Sequence, residues 1–276
     1  MRKIIQRNLL FICILCMASL LSAQFTQDEL AQREKWEEFL MNADIVDWEQ
    51  PWSEHEAVNK PYLLTLERDG ITAKAVWKNP QGFIGGYEEN WEWEIAAYRM
   101  DKLLGINMVP PTVPRRFRTQ TGSCQLYIEH MMTMVRKSEK NIPVPPDSVD
   151  QWNKATYLQR AFDNLIANTD RHQNQFLILK DWRMILIDHS RSFYTQKKYR
   201  NDLIFDEDYD EGPRIMRKLP VHVYNNLKAL TADSIREAVG PTLNNTEIKC
   251  VLMRRDLIIE FIDSRIDELG RSQVLY

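Results

Sequence analysis

The stretch "NTDRHQNQFLILKDWRMILIDHSRSF", Asn168 to Phe193, decides how the chain is read. Two short apolar runs, Phe176–Leu179 and Met184–Ile187, flank Lys180-Asp181. That pattern predicts two short strands joined by a turn. Asp170 lies in the polar loop before the first run, and Asp188 closes the second. A hairpin brings its two ends to the same side, so both carboxylates are expected to face one pocket. Taken singly, each is an ordinary turn or capping residue, and His172 alone is an ordinary structural histidine. Their arrangement around one hairpin carries the weight.

Upstream, "YLLTLERDGITAKAVWKN", Tyr62 to Asn79, holds Asp69-Gly70 between two strand-forming runs and reads as a hairpin. In its second run Thr72, Lys74, Val76 and Lys78 share one face, with Ala73, Ala75 and Trp77 on the other. "NPQGFIGGYEEN", Asn79 to Asn90, reads as a loop. Asn90 to Leu104 is expected to be a helix, with Trp93, Ala96, Ala97, Met100, Leu103 and Leu104 at helical spacing and Gly105 as its stop. Glu94 sits in its first turns. "GSCQLYIEHM" reads as a strand running into a linker, and "EKNIPVPPDS" as a Pro-rich boundary. Residues 151–167 and a long stretch ending near Leu269 are helical in pattern. Thr26-Gln27-Asp28-Glu29 forms a capping box opening a helix to about Met41.

Strands come first and helices later, which predicts a two-lobed α+β fold, a small β-rich lobe followed by a helical one. The expected divisions are 1–23, a signal peptide; 24–44, an N-terminal helix; 45–144, the small lobe and linker; and 145–276, the helical lobe.

Phosphoryl transfer needs a divalent cation, a positive group on the nucleotide phosphates and a carboxylate near the attacking hydroxyl. Mg²⁺ and Mn²⁺ take oxygen ligands. Asp188 suits the cation, Asp170 the hydroxyl, and Lys78 with a helical partner, Glu94, the phosphates. "AVWKN", "WEIAAYRMDKLLGINMVPPTVPR", "GSCQLYIEHM" and "FDNLIANTDRHQNQFLI…LIDHSRSF" together resemble the atypical kinase group. The resemblance is to secreted kinases of the four-jointed and Golgi casein kinase type, and more distantly to phosphatidylinositol 3- and 4-kinases and HipA-type kinases. It spans about residues 62–193.

The resemblance implies a protein-kinase-like fold that binds ATP with Mg²⁺ or Mn²⁺ and phosphorylates a hydroxyl acceptor. By position, Lys78 and Glu94 match the phosphate-binding lysine and its partner. Gln125 to Met131, with Glu129 and Met131, matches the linker on which adenine rests. Asp170 matches the catalytic aspartate, Arg171 and His172 complete its loop, and Asp188 matches the metal-binding aspartate. Gln175 stands where the group has Asn or an acidic metal ligand, with Asn174 beside it. His189 replaces a common glycine and Asn79 a common proline. These departures keep a non-catalytic exported binding protein on the same scaffold as the alternative reading. A metal-dependent phosphohydrolase using the same acids is a third.

Lys74 competes with Lys78 for the phosphates. Gly82, Gly85 and Gly86 follow Lys78 and lack a Gly-Lys-Ser/Thr ending, so Arg68 to Ile71 is the expected nucleotide-covering turn.

The chain's 276 residues, 44% hydrophobic and 27% charged, are ordinary for a globular protein. A net charge of −3 and the lack of basic runs interleaved with aromatics argue against nucleic acid. Arg2, Lys3 and Arg7 precede the apolar run Leu9–Leu21, then Ser22 and Ala23. This reads as a cleaved export signal, too short for the ~20 apolar residues of a membrane span. An exported protein, periplasmic, secreted or in a secretory pathway, is therefore expected, with no stable membrane insertion unless the segment stays. Cys124 and Cys250 would then be the remaining cysteines, either one disulfide or two buried thiols. Asn244-Asn245-Thr246 has the form of a glycosylation sequon but reads as a helix cap, and no zinc-ligand spacing is present.

Overall fold

The structure, a computed structural model, describes residues 24–52, 60–206 and 214–276. The expected export signal and most of the acidic loop Asp206–Pro213 lie outside the described residues.

Two helices open the described chain, α1 (Gln27–Ala31) and α2 (Arg33–Asn42). The Thr26–Glu29 capping box is formed. Strands β1 (Asp44–Glu49), β2 (Tyr62–Arg68) and β3 (Ile71–Lys78) follow. Asp69 and Gly70 take φ of 53° and 75°, so the β2–β3 connection is the tight left-handed turn that Asp-Gly favours. Next come β4 (Gln81–Ile84), β5 (Tyr87–Asn90) and helix α3 (Trp91–Leu104). Residues 79–90, expected to be a loop, thus contain a hairpin. Its Gly85-Gly86 turn, at φ 60° and 89°, lets Ile84 pair with Tyr87. Strands β6 (Thr112–Phe117) and β7 (Gln120–Leu126) complete a five-stranded antiparallel sheet of order β1-β2-β3-β7-β6.

Alternation along β3 decides what each sheet face does. Ala75 and Trp77 turn into a core with Phe39, Leu40 and Ala43 from the end of α2, together with Leu64, Leu66, Val113 and Phe117. Lys78 is left on the opposite face.

Beyond β7 the chain becomes mainly helical. The next elements are β8 (Met132–Thr133), α4 (Met134–Glu139), α5 (Val149–Ile166), β9 (Phe176–Ile178) and β10 (Met184–Leu186). They are followed by α6 (Lys198–Asn201), α7 (Val221–Ala229), α8 (Ala232–Val239), α9 (Asn245–Leu269) and α10 (Arg271–Val274). Asn244 caps α9, accepting from Thr246 N and Glu247 N at 2.9 and 3.0 Å. The buried side of α3 joins one large core with α5, α7, α8 and α9. Helix α3 therefore touches both the sheet and the helical part. Phe25 does a similar job from the N-terminus, packing with Leu177, Leu179 and Ile185 of the β9–β10 hairpin while α2 covers the sheet. Glu29 of α1 pairs with Arg183 in the same hairpin.

Cys124 and Cys250 are both buried free thiols. Among the described residues, no helix is long and apolar enough to cross a membrane.

Candidate active site

Lys78 ends β3 opposite Ser123 of β7. The neighbouring Gly122 has to be glycine, because a Cβ there would overlap the Lys78 carbonyl. Asn90 caps α3 by accepting from Glu92 N at 2.9 Å, which sets Glu94 in the first turn, facing inwards and 2% exposed. The Lys78 ammonium donates to Glu94 Oε1 at 3.0 Å and to Asp188 Oδ1 at 2.8 Å. The second oxygen of Glu94 accepts the His189 backbone N–H at 2.9 Å. Burial alone would discharge Lys78, but Asp188 and Glu94 outweigh it and raise its pKa. Burial opposes ionisation of Glu94 too, yet Lys78 and His189 hold that carboxyl well below the ordinary range.

Asp188 follows β10 at φ 62°, a left-handed conformation that Asp tolerates better than most residues. It is therefore Asp188, not His189 at the usual glycine position, that takes the left-handed backbone. The His189 ring is fully buried against Phe162 with its Nδ1 3.7 Å from Glu94 Oε2, and burial, outweighing Glu94, lowers its pKa.

Asp170 comes three residues after Ala167, whose left-handed φ of 50° ends α5. Asn168 Oδ1 accepts the Asp170 N–H at 3.1 Å. The side chain of Arg171 next to it is buried. Its guanidinium forks onto Asp163 of α5 at 2.8 and 2.9 Å and donates to the Ile187 carbonyl at 2.7 Å. It fastens the Asp170 loop to the strand end that presents Asp188, so its side chain is occupied in holding structure rather than facing the cleft.

Two residues that the sequence reading passed over complete the site. Glu89, 1% exposed, is the next-to-last residue of the unexpected β5 strand. Arg191 donates to Glu89 Oε1 through Nε at 2.9 Å and through a terminal nitrogen at 2.7 Å, and to Asp170 Oδ1 at 3.0 Å. Ser190 Oγ donates to Glu89 Oε2 at 3.2 Å and sits 3.4 Å from Asp188 Oδ1. Gln175 donates to Asp170 Oδ2 at 3.3 Å. Two hydrogen-bonded groups result, Glu94–Lys78–Asp188 and Glu89–Arg191–Asp170–Gln175, and the Ser190 hydroxyl lies between them with one proton to give to either Glu89 or Asp188. The one sequence signal for Glu89 was its place just before the Asn90 cap.

Of the remaining candidates, Gln175 is buried, and its amide oxygen accepts the His172 N–H at 3.3 Å. The side chain therefore presents its nitrogen, not its oxygen, to Asp170. Asn174 is exposed. His172 is also exposed and caps the short turn Gln173–Gln175 through Nδ1. Glu129 and Met131 are exposed on the connection between β7 and β8. Lys74 joins neither group; it lines a cavity of about 680 Å³ behind this connection, with Phe25, Arg33, Trp36, Leu126 and Glu129.

Among the described residues no cluster of three or more His, Cys, Asp or Glu is placed to hold a metal ion. Asp188, with a side chain 36% exposed, supplies hard oxygen donors next to the Lys78 ammonium. That suits Mg²⁺ or Mn²⁺, which commonly complete their coordination with substrate phosphates and water rather than with protein alone.

Comparison with solved structures decides the fold. A structure of hydra Fam20 with sugar aligns at a TM-score of 0.66 and 14% identity, covering 92% of this chain and 95% of that one. The Golgi casein kinase with Mn/ADP bound aligns at 0.63 and 15% identity, over 92% and 80%. A second Golgi casein kinase structure aligns at 0.62 and 16%, with the same coverage. This is the Fam20/Golgi casein kinase fold. At these identities the likeness is one of fold, an atypical kinase architecture with a β-sheet N-terminal region and a helical C-terminal part. No family profile and no curated sequence matches the chain.

Proposed function

We propose that the protein is a metal-dependent kinase that transfers the γ-phosphate of ATP to a hydroxyl acceptor. The observation that carries this is the bonded group Glu94–Lys78–Asp188, with Asp170 held nearby by Arg191 and Gln175, on the Fam20/Golgi casein kinase fold. In this reading Lys78, held by Glu94, binds the nucleotide phosphates. The linker Gln125–Met131 takes the adenine. Asp188 holds a divalent cation, which would supply neutralisation of phosphate charge. Asp170 accepts a hydrogen bond from the acceptor hydroxyl and orients it. Each oxygen of Asp170 carries one protein donor and keeps a lone pair for that hydroxyl. Arg171 is a positioning residue and His172 a loop cap. The Mn and ADP in the Golgi casein kinase structure support the choice of cofactors. The N-terminal apolar segment supports export, as the sequence expectation has it.

The test uses the chain from residue 24 with γ-labelled ATP and Mn²⁺. Asp188→Ala removes metal-dependent nucleotide binding, and Asp170→Ala keeps binding but loses turnover. Identical thermal shifts of wild type and Asp188→Ala with ATP and Mn²⁺ would refute the assignment.

The amide orientation of Gln175 favours a second reading, a nucleotide-binding protein without turnover, because it withholds an oxygen ligand from the cation. Sustained phosphate transfer by the wild type excludes it.

A further inference from the structure

Asp170 can orient an acceptor hydroxyl only if the backbone that carries its carboxylate is itself held. We propose that Asn168 is a positioning residue that sets the direction of Asp170, by tying that backbone to the buried end of α5. This deepens the kinase reading and rests on it.

Asn168 is fully buried, two residues before Asp170. Its N–H donates to the Asp163 carbonyl at 2.9 Å, just after Ala167 leaves the helix at φ 50°. Its side chain then spans two groups that cannot exchange roles. The Asp163 carboxylate only accepts, and it takes a hydrogen from Asn168 Nδ2 at 3.2 Å. The Asp170 N–H only donates, and it meets Asn168 Oδ1 at 3.1 Å. Both ends therefore agree on which way the amide points. The forward bond, from the N–H two residues on to the side-chain oxygen, is an Asx turn, which holds the backbone around Thr169 in one conformation.

The backward bond gives that turn a fixed base. Asp163 is fully buried and also accepts from Arg171, at 2.9 Å on Oδ1 and 2.8 Å on Oδ2, and from Gln159 on Oδ2. Phe162, Leu165 and Ile166 of the same helix belong to the large core. The position of the core is thus handed to Asp170 through one amide. Gln175 and Arg191 bond the carboxylate oxygens of Asp170, whereas Asn168 acts on the backbone beneath them. Lys78, Glu94 and Asp188 bond to one another and not to Asn168. Nucleotide binding and turnover should therefore separate when Asn168 is changed.

The experiment measures ATP hydrolysis and the thermal shift with ADP and Mn²⁺ for wild type, Asn168→Ala and Asn168→Ser. Alanine leaves both oxygens of Asp163 paired by Arg171 and Gln159, so no buried charge loses its partner. Misaligned catalytic groups cost on the order of 10²-fold in rate. That loss is expected in kcat for Asn168→Ala, with the KM for ATP and the nucleotide thermal shift kept. A serine hydroxyl accepts from the N–H two residues on, more weakly than an Asn side chain does. Asn168→Ser should therefore fall between alanine and wild type in kcat, again with KM kept. If Asn168→Ala fails to fold, Asn168→Ser decides alone, with a lowered kcat at unchanged KM as the expected result. Three results overturn the proposal: wild-type kcat in either variant, a serine no better than alanine, or a KM and thermal shift that collapse in step with kcat. An inactive wild type refutes the kinase reading itself and takes this inference with it, a pattern visible before any variant is compared.

Discussion

Replacing Glu94 with Gln removes a charge while keeping the shape, and the structure says what that should do. The Glu94 carboxylate faces two donors, the Lys78 ammonium at 3.0 Å and the His189 N–H at 2.9 Å, one on each oxygen. An amide has one oxygen, so one donor meets an NH₂ group instead. At 3.0 Å and an effective dielectric of about 20, the Coulomb attraction to Lys78 is about 5 kcal/mol before desolvation is subtracted. Breaking a buried ion pair from one side costs about 3–5 kcal/mol net. The low end, about 3 kcal/mol, applies here because Lys78 keeps Asp188 at 2.8 Å. For a chain of this length that loss lowers the thermal midpoint by about 6–12 °C. Urea and thermal unfolding of the metal-free protein measure it. The same change hands Lys78 wholly to Asp188, so nucleotide affinity with Mn²⁺ should fall as well. A midpoint unchanged within the scatter of repeat scans would show that the Lys78–Glu94 pair is not formed, and the argument built on it would go.

Three other changes have defined outcomes. Arg171→Ala strands Asp163 fully buried and should cost about 3–5 kcal/mol in urea unfolding, with Arg171→Lys a poor substitute for the lost fork. Burial lowers the pKa of His189, so below its unfolded value near ~6.5 the unfolded chain takes up a proton that the folded chain refuses. Stability should therefore fall as pH drops through that range, and His189→Gln should flatten this part of the slope in urea midpoints. Gly122→Ala drives a methyl into the Lys78 carbonyl and the Trp77 ring, and should lower both the thermal midpoint and nucleotide affinity.

Much of the fold follows from local rules that act within a few residues. Asp69-Gly70 specified its turn because few other pairs accept two positive φ values. The alternation in β3 assigned Trp77 to the core and Lys78 to the other face before any partner was known. Asn90, Gly105 and Asn244 marked helix ends through hydrogen bonds to their own neighbours. The order of Lys78, Glu94, Asp170 and Asp188 could be read for the same reason, since each sits at the end or first turn of a predictable element.

What lay beyond the sequence depends on contacts between distant segments. Residues 79–90 read as a loop because their glycines hide a short hairpin. That hairpin is anchored by bonds to Ser190, Arg191 and Tyr194, about a hundred residues on. Gln175 looked like a cation ligand by position, but its orientation is set by the His172 backbone N–H on one side and Asp170 on the other. Arg171 looked like part of the catalytic loop until Asp163 and Ile187 claimed its guanidinium. The residue types and their order were written in the chain. Which donor each carboxylate meets was settled only when the sheet, α3 and the β9–β10 hairpin closed on one another, because a buried charge takes its partner from whatever the packing brings within reach.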